Sequence, residues 1–236
     1  MDLGLPDHAR AMEQHAAYCD ALERCGLVLT RLSADSRFPD STFVEDTAIL
    51  TPRGAVLTRP GALARAGEVE LIRDALDAFY PEPKAIVAPG TLDGGDVCEV
   101  GEHFLIGISE RTNEEGARQL AVILERDGFT TALIDIRGVE GILHLKSGIA
   151  SLGDGRLVAV GALGRHPALR EYEIVPVEGS EAYAANCIRV NGRILFAAGH
   201  PRLEAAVRRI GYDLLTLEMS EFQKMDGGLS CLSLRF

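Results

Sequence analysis

Apolar positions along this 236-residue chain switch repeatedly between helical spacing and strict alternation. Ala9, Met12, Ala16, Cys19 and Leu22 recur at helical steps, Asp7 can cap the first turn and Gly26 stands just past the last, which predicts a helix from Ala9 to Cys25. Leu27 to Leu32 reads as a strand.

From there one order repeats. Strands at Thr47 to Leu50 and Ala55 to Arg59 precede a helix from Gly67 to Tyr80, with Val69, Ile72, Leu76 and Phe79 on one face, and a strand at Lys84 to Ala88 closes the group. The second group is Asp96 to Val100, His103 to Ser109, a helix from Glu114 to Asp127, and Thr130 to Ile136. The third is His144 to Leu152, Arg156 to Gly161, a short helix at Pro167 to Tyr172, and Ile174 to Val177. The fourth is Asn186 to Asn191, Arg193 to Ala197, a helix from Arg202 to Ile210, and Tyr212 to Glu218.

Strand, strand, helix, strand thus recurs about every 50 residues or somewhat less, a period that belongs to solenoids and closed radial arrays. One helix per repeat can cover the outside while the short strands gather round an axis, so a closed array is favoured. The C-terminal strand through Cys231, together with the N-terminal helix and strand, would form a fifth repeat that lacks one strand. No Pro-rich or Ser-rich linker divides the chain, and a single α/β domain over residues 1–236 is expected.

Composition narrows the class. The apolar runs are much shorter than the roughly 20 residues of a membrane span, and the first residues lack a signal peptide's order of basic then apolar positions. Five irregularly spaced cysteines argue for free thiols in a reducing compartment, hence a cytoplasmic protein. A net charge of −11 argues against nucleic acid as a partner and is compatible with a cationic small molecule.

Polar clusters stand at comparable phase in several repeats: Asp40 with Glu45 and Asp46, then Asp93-Gly94-Gly95-Asp96, then His144-Leu145-Lys146-Ser147, and finally Asp226-Gly227-Gly228-Leu229-Ser230-Cys231. The two Asp-Gly-Gly runs echo each other. Cys, His and Asp from separate repeats make a nucleophile, an acid/base and an orienting carboxylate. A thiol with an ordinary pKa near 8.5 needs help to ionise at neutral pH, which a neighbouring cation supplies. Several carboxylates in one pocket call for a cation with many donors, and a guanidinium, planar and forked, fits. Its central carbon is then a target for the thiolate.

Together with Ser109-Glu110-Arg111-Thr112-Asn113 and Ala185-Asn186-Cys187-Ile188, these motifs resemble the dimethylarginine dimethylaminohydrolase family of the guanidine-modifying pentein superfamily, in order and over nearly the whole chain. The resemblance implies a five-bladed α/β propeller with pseudo-five-fold symmetry, here without its first N-terminal strand and the mobile loop that closes over substrate. It also implies hydrolysis of Nω-methylated arginine to citrulline and a methylamine, with no cofactor and no metal. By the same resemblance Cys231 is the nucleophile and forms a thiouronium intermediate, His144 is the acid/base, and Asp93 orients it. Asp40, Glu45 and Asp46 hold the guanidinium or organise its pocket, Arg65 and Arg111 bind the substrate carboxylate, and main chain near Met225 receives the amino-acid end.

Other readings of single residues stay beside this one. Cys19, Cys25, Cys98 and Cys187 read as structural thiols, Asp96 as the structural partner of Asp93, and the remaining histidines as surface or structural, without metal-ligand spacing. The Gly pairs open no phosphate loop. A relative that acts on arginine and releases ammonia, and a pocket that binds methylarginine without turnover, are the two competing functional readings. The assembly allowed by the reading is a homodimer.

Overall fold

The computed structural model describes residues 3–236. In chain order the elements are α1 (His8–Arg24), β1 (Ala48–Thr51), β2 (Gly54–Leu57), α2 (Glu68–Leu76), β3 (Lys84–Ala85), β4 (Val97–Val100), β5 (His103–Ile108), α3 (Glu114–Arg126), β6 (Thr130–Asp135), β7 (Ile149–Gly153), β8 (Arg156–Val160), β9 (Glu173–Val177), β10 (Ile188–Val190), β11 (Arg193–Ala197), α4 (Pro201–Ile210), β12 (Asp213–Leu217) and α5 (Ser220–Gln223). Short 3-10 turns join them.

The strands form four three-stranded sheets, β1-β2-β3, β4-β5-β6, β7-β8-β9 and β10-β11-β12. In each, the first two strands are an antiparallel hairpin and the third returns parallel to the second. A parallel return needs a crossover, usually a helix. Three repeats use α2, α3 and α4, and the third uses two 3-10 turns, Leu163–Arg165 and Pro167–Leu169, where the sequence predicts a short helix. Four repeats of one strand order match the sequence pattern.

By contacts the chain divides into two units. The second contains Leu32–Lys146 and, from the far end of the chain, Cys231–Phe236. In its sheet β1-β2-β3 the hairpin β1-β2 is buried on both faces, which is why these two strands read as continuous apolar runs, while the two-residue β3 is exposed. Ala48, Leu50, Ala55 and Leu57 meet Val69, Ile72 and Leu76 of α2, while Ile49 and Val56 belong to the cluster made with β4, β5 and α3. Phe104 and Phe129 stack edge to face there, with centroids 5.1 Å apart. An isolated antiparallel bridge, Arg59 to Leu92, joins the ends of the two sheets.

The first unit holds residues up to 31 and Ser147–Ser230. Its core gathers Leu152, Val158 and Val175 from one sheet, Ile194, Phe196 and Leu214 from the other, and Leu203 and Val207 of α4. The α1 helix turns Gln14, Tyr18, Cys19, Ala21 and Leu22 inward. Met12 and Ala16, expected on that face, are exposed. The face has a polar centre instead: Gln14 Nε2 donates to Ser220 Oγ at 2.9 Å and Gln14 Oε1 accepts Glu221 N–H at 3.0 Å.

Three further expectations are corrected. Leu27 to Leu32 forms no strand; Val28 is 98% exposed, and among the described residues the segment pairs with no strand. Alternation marks a segment able to pair, and the ladder requires a partner. The segment through Cys231 is also no strand: Ser230–Leu232 is a 3-10 turn, and the apolar Leu232 and Leu234 are packed rather than laddered, Leu234 against the α2 cluster. Finally, the strand expected from His144 begins only at Ile149, because Leu145–Ser147 is a 3-10 turn whose first amide is captured by Asp96.

Candidate active site

The second unit holds eight of the nine residues singled out by sequence. Asp40, Glu45, Asp46, Arg65, Asp93, Arg111 and His144 lie on its loops, and Cys231 opens its C-terminal segment. Met225 lies in the first unit, in the turn after α5, where its N–H bonds the Phe222 carbonyl.

The arrangement is built on the turns that precede β1 and β4. Val44–Thr47 and Gly94–Asp96 are 3-10 turns that run against each other, so close that a Cβ on Gly94 would lie 2.0 Å from the Glu45 carbonyl oxygen. Gly95 N–H donates to Asp46 Oδ1 at 2.8 Å, and a Cβ on Gly95 would lie 2.8 Å from the His144 ring. Both glycines are demanded by close approach.

His144 is 9% exposed, and its Nε2 meets Asp93 Oδ2 at 3.0 Å. Asp93 is fixed in turn: its Oδ1 accepts Gly61 N–H at 2.8 Å, and its own N–H donates to Thr112 Oγ1 at 3.1 Å. Asp96, on the other side of the Gly pair, accepts Leu145 N–H at 2.9 Å and the Ser109 hydroxyl at 2.6 Å. One carboxylate therefore holds the imidazole and a second holds the main chain beside it.

Burial opposes charge on His144, but the Asp93 hydrogen bond and the nearby Asp46 and Asp96 carboxylates outweigh it and push its pKa up to about 9. The imidazole is therefore protonated at neutral pH. Asp96 moves upward because burial outweighs its hydrogen bonds. Asp46, despite burial, is held below the usual carboxylate range by His144, Arg65 and the Gly95 amide.

The acids and arginines separate into distinct roles. Arg65 is buried and turned inward, donating through Nη1 to Asp46 Oδ2 at 2.5 Å, through Nε and Nη2 to Glu68, and through Nη2 to the Phe43 carbonyl at 2.9 Å. Glu45 is buried and paired to Lys146 Nζ at 2.6 Å, whereas Asp40 is exposed. Arg111 is half-buried, and its main chain is pressed against Gly61, where a Cβ would fall 2.3 Å from the Arg111 carbonyl oxygen. Arg111 thus stands on the turn whose Thr112 supports Asp93.

Asp46, Asp93 and His144 each offer a polar atom within 4.8 Å of the others, a spacing that metal ligands share. Their oxygens already accept Arg65, Gly95, Gly61 and His144, so the cluster is satisfied as a hydrogen-bond network. Sequence reading missed Gly61, Glu68, Ser109, Thr112 and Lys146 as supporting residues. Glu68 stands three residues from Arg65 and Lys146 two from His144, but nothing in a single sequence says that either charge is buried.

Cys231 is half-exposed, whereas Cys19, Cys25, Cys98 and Cys187 are buried. The second unit thus contains a half-exposed thiol, a protonated imidazole that can supply a proton, and a carboxylate that fixes the imidazole, residue types that serve covalent hydrolysis at an electrophilic carbon.

Comparisons with known proteins agree with that chemistry. Residues 36–159 match the family described as Arginine deiminase. The chain is 47% identical over 235 residues to the N(G),N(G)-dimethylarginine dimethylaminohydrolase of Pseudomonas aeruginosa, covering 99% of this chain and 91% of that protein. It is 33% identical to the enzyme of that name from Streptomyces coelicolor, covering 97% and 87%. A crystal structure of the Pseudomonas aeruginosa protein, as a Cys-to-Ser variant complexed with citrulline, superposes with a TM-score of 0.96 at 46% identity, covering 100% of this chain and 92% of that one.

Proposed function

Because the chain belongs to the dimethylarginine dimethylaminohydrolase family, we propose that it hydrolyses Nω-methylated arginine to citrulline and a methylamine, with Cys231, His144 and Asp93 as its catalytic residues. The observation that carries the reading is the buried His144–Asp93 pair, 3.0 Å apart, in the unit that also contains the half-exposed Cys231.

The Cys231 thiolate attacks the central guanidinium carbon, forming a carbon–sulfur bond and a tetrahedral adduct. His144 gives its proton to the departing methylated nitrogen, the carbon–nitrogen bond breaks, and a thiouronium remains on Cys231. Water then loses a proton to His144 and attacks the same carbon, and the adduct collapses by expelling the thiolate and giving its hydroxyl proton to solvent, leaving neutral citrulline. Asp93 keeps the imidazole aimed through both steps. A protonated His144 is the form the first step needs, and its cation favours the thiolate.

For binding, Asp40, Glu45 and Asp46 supply the negative field that a guanidinium seeks. The inward donors of Arg65 make it the residue that holds Asp46, while Arg111, half-buried on its turn, takes the larger share of the substrate carboxylate. Main chain around Met225 receives the amino-acid end. No cofactor enters these steps. One five-bladed propeller over residues 1–236 is part of the same proposal, supported by the four repeated sheets, as is a cytoplasmic setting, supported by five free thiols. Among the described residues no helix is long and apolar enough to cross a membrane. A homodimer is tested by sedimentation at working concentration.

Incubation with asymmetric dimethylarginine is expected to yield citrulline and dimethylamine in equal amounts, and Cys231→Ser to abolish both. Folded wild-type protein that releases no citrulline sinks the proposal. The match to the family described as Arginine deiminase favours one alternative, release of ammonia from arginine itself; faster turnover of arginine than of its methylated forms would establish it.

A further inference from the structure

The segment that leads into Cys231 is gripped by a motif to which the chemistry above gives no task. Ser230, the residue covalently before Cys231, donates its N–H to Asn186 Oδ1 at 2.9 Å, and Asn186 Nδ2 donates to Ser230 Oγ at 2.9 Å. Asn186 is 7% exposed and Ser230 2%. Two residues earlier, a Cβ on Gly228 would fall 2.5 Å from Asn186 Oδ1, so the backbone there can approach only as glycine. Tyr183 Oη donates to the Gly227 carbonyl at 2.9 Å.

We propose that Asn186 is a positioning residue for the nucleophile: its amide pins the main chain and the side chain of Ser230 at once and so sets the direction in which the next residue, Cys231, presents its thiol. The inference rests on Cys231 being the nucleophile. An amide suits the task because it places an acceptor and a donor side by side, matching a backbone N–H and a hydroxyl oxygen in one plane. In a buried site such a doubly bonded contact is rigid, since breaking either bond strands a polar group away from water. The same need for close approach explains the glycine at position 228.

The test compares Asn186→Ala, which removes both of these bonds, with Ser230→Ala, which keeps the bond from the Ser230 main chain and removes the one to Oγ. Steady-state kinetics with dimethylarginine are run on protein shown by thermal melting to be folded. A misdirected nucleophile can cost about 100-fold in rate, so Asn186→Ala is expected to lower kcat by about that factor. The substrate still binds, so KM should stay within about threefold of wild type, and Ser230→Ala should lose about fivefold in kcat alone. A folded Asn186→Ala whose kcat is unchanged, or whose loss lies in KM only, overturns the proposal. If Asn186→Ala does not fold, an unchanged kcat in Ser230→Ala overturns it. Cys231→Ser, measured in parallel, separates the two ideas: turnover by that variant defeats the assignment of the nucleophile, not the role of the clamp.

Discussion

A histidine as buried as His144 would ordinarily shed its proton, because removal from water penalises the charged ring. Here the surroundings reverse the outcome: the Asp93 bond and the Asp46 and Asp96 carboxylates raise its pKa from 6.5 to about 9. The folded protein therefore binds this proton more tightly than the unfolded chain does. The stability that follows is complete below pH 6.5 and is lost as pH rises through about 9. Melting temperatures of wild type and His144→Gln, measured from about pH 6 to about pH 10, are expected to differ most at the acid end and to converge at the alkaline end. A gap that widens with pH would contradict the charge network. The catalytic consequence at the same residue is a loss of kcat in His144→Gln on the order of 10²-fold or more, measured at neutral pH as citrulline release.

Among elements, the two facing 3-10 turns decide whether the network forms at all. Their glycines do different work. Gly94 meets backbone, the Glu45 carbonyl, which cannot rotate aside. Gly94→Ala is therefore expected to cost about 1–3 kcal/mol or more in stability, read by denaturant unfolding. Gly95 meets the His144 ring and an Asp46 oxygen, 2.8 and 3.0 Å from an added Cβ. Gly95→Ala is expected to displace the imidazole and to reduce kcat by a larger factor than Gly94→Ala does at a temperature where both are folded. Equal kinetic loss in the two variants would mean that only general destabilisation is being read. The Asp-Gly-Gly-Asp run was visible as a motif, and the helices α3 and α4 were visible almost to the residue, because helical spacing is a local signal; the structure adds that Asn113 caps α3 and Pro201 opens α4. Segments that depend on a distant partner were misread: Leu27 to Leu32 and the residues around Cys231 carry strand-like alternation, yet pairing is a property of two segments and only one is written in any stretch of sequence.

At the scale of the molecule, the second unit is completed by six residues from the far end of the chain. Phe236 packs edge to face on Phe79 and Tyr80, with centroids 4.9 and 5.4 Å away, and Leu234 joins the α2 cluster. These contacts hold the tail that begins at Cys231. Removal of Leu234–Phe236 is expected to lower kcat by about tenfold or more, through loosened placement of the nucleophile, while the far-ultraviolet circular dichroism of the remaining sheets persists. A truncated chain with wild-type kcat would show that the tail has no part in placing Cys231.

The linear sequence determined the repeat, the α/β class, the unusual concentration of chemistry in short polar motifs, and the resemblance that those motifs carry, since each depends on residue types at short spacing. Only the tertiary structure decided that Arg65 turns inward to Asp46 and Glu68, that Lys146 meets Glu45, that Asp96 holds the main chain beside His144, and that Asn186 grips Ser230. The physical reason is common to all four. A buried charge or amide takes its partner and its protonation from whatever the fold brings within about 3 Å; partners 19, 44, 49 or 101 residues apart leave no mark on the local pattern, and for Glu68, three residues from Arg65, it is the burial that the local pattern does not carry.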